Sequence, residues 1–169
     1  MSTPSPIFPA SLLSSDAAAA LPDGYTIRPL EKGDYAKGFL ECLRDLTWMD
    51  NLTEQEFNER YDEMDTKGNG PYYYLVIERE GRIVGTGAVI VEKKFIQNRT
   101  TVGHIEEICI SKDQQGKKLG LHMLNALNSV AKNVGCRKTI LNCSEHNIKF
   151  YEKCGFEVSS TEMKREFKE

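Results

Sequence analysis

The apolar and polar positions fall into two alternating periods along the chain. YTIRPL, residues 25–30, alternates at period two and ends in proline, which predicts a first strand. Past Gly33-Asp34, the residues Phe39, Leu40, Leu43 and Leu46 recur at helical spacing. Thr53 followed by Glu56 is a capping box that opens a second helix over about 54–65. TKGNGP, residues 66–71, reads as a turn. YYYLVIER (72–79) and RIVGTGAVIVEKKF (82–95) predict a hairpin closed at Glu80-Gly81. TVGHIEEICI (101–110) predicts another strand. Residues 117–134 give the best helix, with Leu119, Met123, Leu127 and Val130 on one stripe. RKTILNCS (137–144) predicts a strand, and NIKFYEKC (147–154) a short helix stopped by Gly155. FEVSS and TEMKREF close the chain as strand material.

The order β α α β β β α β α β places an antiparallel meander before a β-α-β crossover. That is an α+β, or three-layer α/β, fold: a central mixed, mostly antiparallel sheet flanked by helices. Residues 1–23 are rich in Pro, Ser and Ala and hold no period, so a flexible tail is expected there. Ile7, Phe8, Leu12 and Leu13 are side chains with which such a tail can dock. Residues 24–169 form a single domain.

Composition removes several functions. The 169 residues carry a formal net charge of −3 with a pI near 5.7, which argues against a nucleic-acid partner. The five cysteines are odd in number and none stands in a CxxC pair, so disulfide scaffolds and zinc ribbons are poorly supported and no metal is expected. Reduced thiols in a cytoplasmic protein are the expectation. No apolar run approaches the roughly 20 residues of a membrane span, and no secretory signal opens the chain.

The chemistry concentrates after the third long strand. QQGKKLG, residues 114–120, follows HIEEICI and enters the long helix, so a glycine-containing basic loop sits at a helix N-terminus. Unpaired N–H groups and the helix dipole favour an anion there. GxxxxGK[ST] and GxGxxG are both absent, which removes a triphosphate P-loop and a dinucleotide fingerprint. Gly116 allows close backbone approach, and Lys117 and Lys118 add charge.

Gln115-Gly116-Lys117-Lys118-Leu119-Gly120 resembles the Q/R-x-x-G-x-G/A pyrophosphate loop of the GNAT N-acetyltransferases, with Lys118 where the middle glycine usually stands. LPDGYTIRPLEKGD (21–34), TGAVIVEKKFIQ (86–97), GHIEEICIS (103–111) and ILNCSEHNIKFYEKCGF (140–156) resemble the glucosamine-6-phosphate N-acetyltransferases within that superfamily. The resemblance runs from about Leu21 to Met163. It implies a cytoplasmic homodimer that acetylates the 2-amino group of glucosamine 6-phosphate with acetyl-CoA by direct attack in a ternary complex, feeding UDP-N-acetylglucosamine synthesis.

The resemblance also assigns residues. It puts the Tyr151 hydroxyl beside the thioester sulfur; a phenol with a pKa near 10 suits protonation of a thiolate. Asn147, Lys149 and Phe150 share that short helix. It implies that Ile108, Cys109 and Ile110 pair with the pantetheine arm, with no covalent role for Cys109. Glu106 and Glu107 are implied at the sugar; as neighbours on a strand they are expected on opposite faces. Asn142 stands where relatives carry an acidic residue, so a water held by Glu106 or Glu107, or a backbone carbonyl, is left as proton acceptor. Thr47, Lys94, Phe95, Ile96 and Gln97 resemble substrate contacts, with a lysine suited to a 6-phosphate. Arg165 lies one residue from the position of an arginine that relatives supply across the dimer; Glu166 stands at that position. Two other readings stay open: acetyl transfer to a protein N-terminus, lysine or polyamine, and a non-catalytic acyl-CoA-binding module.

Overall fold

Glu80 and Gly81 both take positive φ, 50° and 74°, so the turn they form matches the twist of the strands on either side. It joins β2 (Tyr72–Arg79) to β3 (Arg82–Lys93) in the computed structural model, which describes residues 5–168. β1 (Thr26–Pro29) pairs antiparallel with β2, and β4 (Thr101–Ile110) antiparallel with β3. β5 (Lys138–Ile140) pairs parallel with β4, so the sheet runs β1-β2-β3-β4-β5.

The helices are α1 (Ser15–Ala19), α2 (Phe39–Arg44), α3 (Glu54–Met64), the single turn α4 (Ile96–Arg99), α5 (Leu119–Asn133) and α6 (Ile148–Lys153). α5 carries the β4-to-β5 crossover, and its Leu119, Met123, Leu124, Leu127 and Val130 are fully buried. Gly87 makes that packing close. A Cβ there would lie 2.8 Å from Leu127 Cδ1 and 2.9 Å from Ile108 Cδ1 and Met123 Cγ. Thr53 caps α3 as expected, its side chain accepting from the Glu56 amide while Glu56 accepts from the Thr53 amide.

Other expectations change. The segment before α2 does not run straight into it, because Gly38 turns left-handed at φ 87°. Residues 5–23, expected as a flexible tail, are packed on the body. Ile7 and Phe8 are fully buried, and the Ile7 amide bonds to the Leu30 carbonyl at 2.9 Å. Asn133 holds the Leu12 carbonyl, and Ser129 accepts from the Ser14 amide. The few apolar side chains outweigh the polar composition because the body offers them a place. β3 ends at Lys93, and β5 is shorter than its apolar run suggests. FEVSS and TEMKREF form no strand among the described residues: 157–168 are exposed and pair with no neighbour in the sheet.

Candidate active site

A cleft of about 350 Å³ opens between the C-terminal end of β4, the loop before α5 and helix α6. Ile108, Ile110, Gln115, Gly116, Lys118, Leu119, Gly120, Asn147, Phe150 and Tyr151 line it. The loop is tied to the strand by the Gln115 side-chain amide, which donates to the Ile110 carbonyl at 3.2 Å. Gly116 takes φ 83° with open space where a Cβ would point. Lys118, the residue in place of a glycine, still adopts the left-handed conformation, φ 59°. The backbone demand therefore survives the substitution. The amides of Gly116, Lys117 and Lys118 meet no backbone acceptor among the described residues, and the first turn of α5 adds further free donors. This is an anion cradle made of peptide groups. Gly120 has a different reason: a Cβ there would sit 3.1 Å from Phe150 Cζ, so glycine lets α6 close on α5.

Tyr151 is half-buried and braced edge-to-face by Phe150 and Phe156, with ring centroids 5.1 and 6.0 Å away. Burial pushes its phenol pKa up, helped by the Cys143 and Cys154 thiols. The phenol therefore stays protonated at neutral pH, the state that a proton donor needs. Asn147, at the start of α6, faces the same cleft.

Three loop-side expectations are redirected. Cys109 contributes no side chain to the cleft: its Sγ donates to the Cys42 carbonyl at 3.1 Å, and the hydrogen bond with Cys42 together with burial pushes its pKa far up. Lys117 does not line the cleft but bonds to Tyr25 and Gln114. Lys149 is exposed and does not line the cleft. Gln114, nearly buried and part of the cleft wall, was missed by the sequence reading. Its partners Tyr25 and Arg79 lie 89 and 35 residues away, so no local pattern could reveal them.

The two carboxylates need a correction of another kind. β4 pairs Glu106 with Ala88 and Cys109 with Thr86, so Glu107 and Ile108 together oppose Gly87. This is a β-bulge, with Glu107 at φ 52° and its carbonyl held by Thr86 Oγ1 at 2.9 Å. Strand alternation fails there. Tyr74 pairs with Ala88 and so shares the Glu106 face. Burial first, then the neighbouring Glu107 carboxylate and more weakly Glu106, push the Tyr74 phenol well above its ordinary pKa. Both carboxylates thus lie near the Tyr74 phenol.

The remaining substrate candidates lie outside the cleft, all of them exposed except the half-buried Lys94. Thr47 follows α2, its amide bonded to the Leu43 carbonyl. Lys94 pairs with Glu92 at 3.1 Å, which also meets His104; these contacts, Lys94 first, hold Glu92 below the usual carboxylate range. Phe95 and Ile96 are exposed, and Gln97 begins three residues of positive φ that turn the chain back into β4. Asn142 lies beyond the short β5, and Arg165 on the exposed terminal segment.

The Acetyltransferase (GNAT) family profile matches residues 39–156, the span that contains the loop, the bulge and α6. The chain belongs to the GNAT acetyltransferase family. The glucosamine 6-phosphate N-acetyltransferase of Candida albicans is 41% identical over 143 residues, covering 85% of this chain and 96% of its own. The protein of that name from Arabidopsis thaliana is 41% identical over 145 residues, covering 85% and 97%. The Arabidopsis crystal structure superposes with a TM-score of 0.81 at 40% identity, over 85% of this chain and 99% of that one. A Trypanosoma brucei acetyltransferase structure aligns with a TM-score of 0.77 at 30% identity, over 85% and 99%. The GNAT fold expected from the sequence is thus the fold observed, a mixed five-stranded sheet with flanking helices.

Proposed function

We propose that this GNAT enzyme transfers the acetyl group of acetyl-CoA to the 2-amino group of glucosamine 6-phosphate, giving N-acetylglucosamine 6-phosphate and CoA. One observation carries the reading: the peptide cradle at Gly116–Gly120 and the Tyr151 phenol share one cleft, in a chain whose relatives of about 40% identity bear that enzyme's name. The loop fits acetyl-CoA by its chemistry, since a diphosphate takes free N–H donors at a helix start. Ile108 and Ile110 offer backbone and apolar wall to the pantetheine arm.

In the reaction, the free amine attacks the thioester carbonyl, the C–N bond forms and the C–S bond breaks. Tyr151 delivers its proton to the departing sulfur. The amine's surplus proton leaves through a water held by Glu106 or Glu107. Lys94 meets the 6-phosphate once Glu92 yields it. Trp48, Phe95 and Ile96, with Met163 and Phe167 on the terminal segment, are exposed apolar side chains, which is in keeping with the proposed homodimer. The five cysteines are free thiols, which suits a cytoplasmic enzyme supplying UDP-N-acetylglucosamine synthesis.

The test is thiol release from acetyl-CoA by the purified chain, with glucosamine 6-phosphate, glucosamine, a lysine peptide and a polyamine as acceptors. Turnover with the phosphosugar far above the others supports the reading. A preference for another amine would move the chain to a different acceptor, and binding without release would make it a carrier-binding module.

A further inference from the structure

Beside the cleft, two cations share two neutral oxygens. Lys117 Nζ donates to Tyr25 Oη at 3.1 Å and to Gln114 Oε1 at 3.0 Å. Arg79 Nη1 donates to the same atoms, at 2.6 and 3.2 Å. The Arg79 guanidinium also lies 4.9 Å from the Tyr25 ring centroid. Neither cation is in an ion pair among the described residues; the nearby Asp113 is taken by Arg82 at 2.6 Å. Burial pushes the Tyr25 phenol up, yet hydrogen bonds from Lys117 and Arg79 outweigh it and leave its pKa below the ordinary value. Two positive charges held this close, with no carboxylate between them, make a locus of positive potential. It is not remote: Gln114 lines the cleft, and Lys117 belongs to the loop itself.

We infer that Arg79 and Lys117 form a phosphomonoester subsite at the mouth of the cleft, which takes the 3′-phosphate on the ribose of CoA. The inference rests on the acetyl-CoA reading above. The loop amides account for a diphosphate without either side chain. The ribose 3′-phosphate is a dianion one sugar away from that diphosphate, and a guanidinium beside an ammonium is the donor set that suits it. Lys117 is exposed and Arg79 half-buried, so a ligand reaches the pair without rearrangement of the core.

The experiment compares acetyl-CoA with acetyl-3′-dephospho-CoA as donors to the same acceptor, using the full chain. The intact donor is expected to show kcat/KM about tenfold higher, the worth of one charge-assisted contact. Arg79→Gln and Lys117→Gln should each cut that preference to about twofold. Thermal melting of the unliganded variants checks folding; should Arg79→Gln not fold, Lys117→Gln at its exposed position carries the test. Equal use of both donors by the wild type, or an unchanged preference in the variants, overturns the subsite while leaving acetyl-CoA as co-substrate. Protection from melting by inorganic phosphate, lost in Lys117→Gln, together with equal use of the donors, would assign the pair to free phosphate and overturn the carrier assignment. No turnover with either donor would remove the acetyl-CoA reading and the subsite with it.

Discussion

The two halves of the site are built differently. The carrier half is a run of chain: β4, the loop, α5 and then α6 supply every wall of the cleft, and its helix is anchored by fully buried Leu119 and Met123. The proposed acceptor half is scattered. Thr47, Lys94–Gln97, Glu106, Glu107 and Asn142 come from four separate stretches, and exposed apolar residues stand among them, Trp48 at 83% and Phe95 at 96% exposure. A carrier common to a whole family is held by peptide groups, which any sequence owns. A particular sugar phosphate must be recognised by side chains, and these are gathered from wherever the fold brings them.

The largest effect should come from the ion cluster around Asp34. Asp34 is fully buried and takes both terminal nitrogens of Arg28, at 2.7 and 2.9 Å, while it caps the Glu31 amide at 2.8 Å. Asp34→Ala should cost about 3 kcal/mol in denaturant unfolding, because it removes two charge-assisted bonds to Arg28 and the cap on the Glu31 amide, leaving the guanidinium to Glu78. The segment that it pins leads into α2 and Thr47. KM for the sugar phosphate should therefore rise more than KM for acetyl-CoA; equal rises would show that the halves are not separable.

Next is Tyr151→Phe, which removes one oxygen from a well-braced ring. Loss of a proton donor should lower kcat by roughly 10²-fold, with KM for acetyl-CoA near unchanged. The pH profile supplies a second check. The group acts protonated and its pKa is raised, so its contribution to kcat is present below pH 10 and is lost only as pH climbs past that ordinary tyrosine value. A basic limb that begins well below pH 10 and disappears in the phenylalanine variant would contradict the raised pKa.

Gly87→Ala tests the carrier half through its packing. The new methyl meets Leu127, Met123 and Ile108 below 3.0 Å, and the first two are fully buried. Overpacking should cost about 1–3 kcal/mol in melting experiments. Ile108 lines the cleft, so KM for acetyl-CoA should rise while KM for the sugar phosphate stays close to its starting value.

The same contrast explains what could be read from the chain. The carrier half was legible because its signals are local. A strand, a loop with glycine and a striped helix follow one another, and Asn147 and Tyr151 share a helix face. Lys118 shows the limit of residue matching, since the left-handed backbone is kept without the glycine. The acceptor half was legible only through resemblance. The positive φ of Glu107 breaks the alternation that a strand pattern assumes, and nothing in GHIEEICIS announces a bulge. The same holds for Tyr25, Gln114 and Arg79, which meet only after folding. Residues 5–23 misled for another reason. Composition weighed their Ser, Pro and Ala, whereas Ile7 and Phe8 decide the matter by entering the core.

Lys94→Ala should give the smallest change and the sharpest discrimination. Lys94 is paired with Glu92 in the free chain, so binding a phosphate exchanges one ionic partner for another and yields only the difference. KM for glucosamine 6-phosphate should rise about fivefold, close to 1 kcal/mol, and KM for acetyl-CoA should not move. Glucosamine, without the phosphate, should be used equally by wild type and variant. Glu92→Gln supplies the converse: with its competitor gone, Lys94 should hold the phosphate more tightly and KM should fall. A matching rise in KM for glucosamine in Lys94→Ala would show that the lysine shapes the turn at 94–97 and does not read the phosphate.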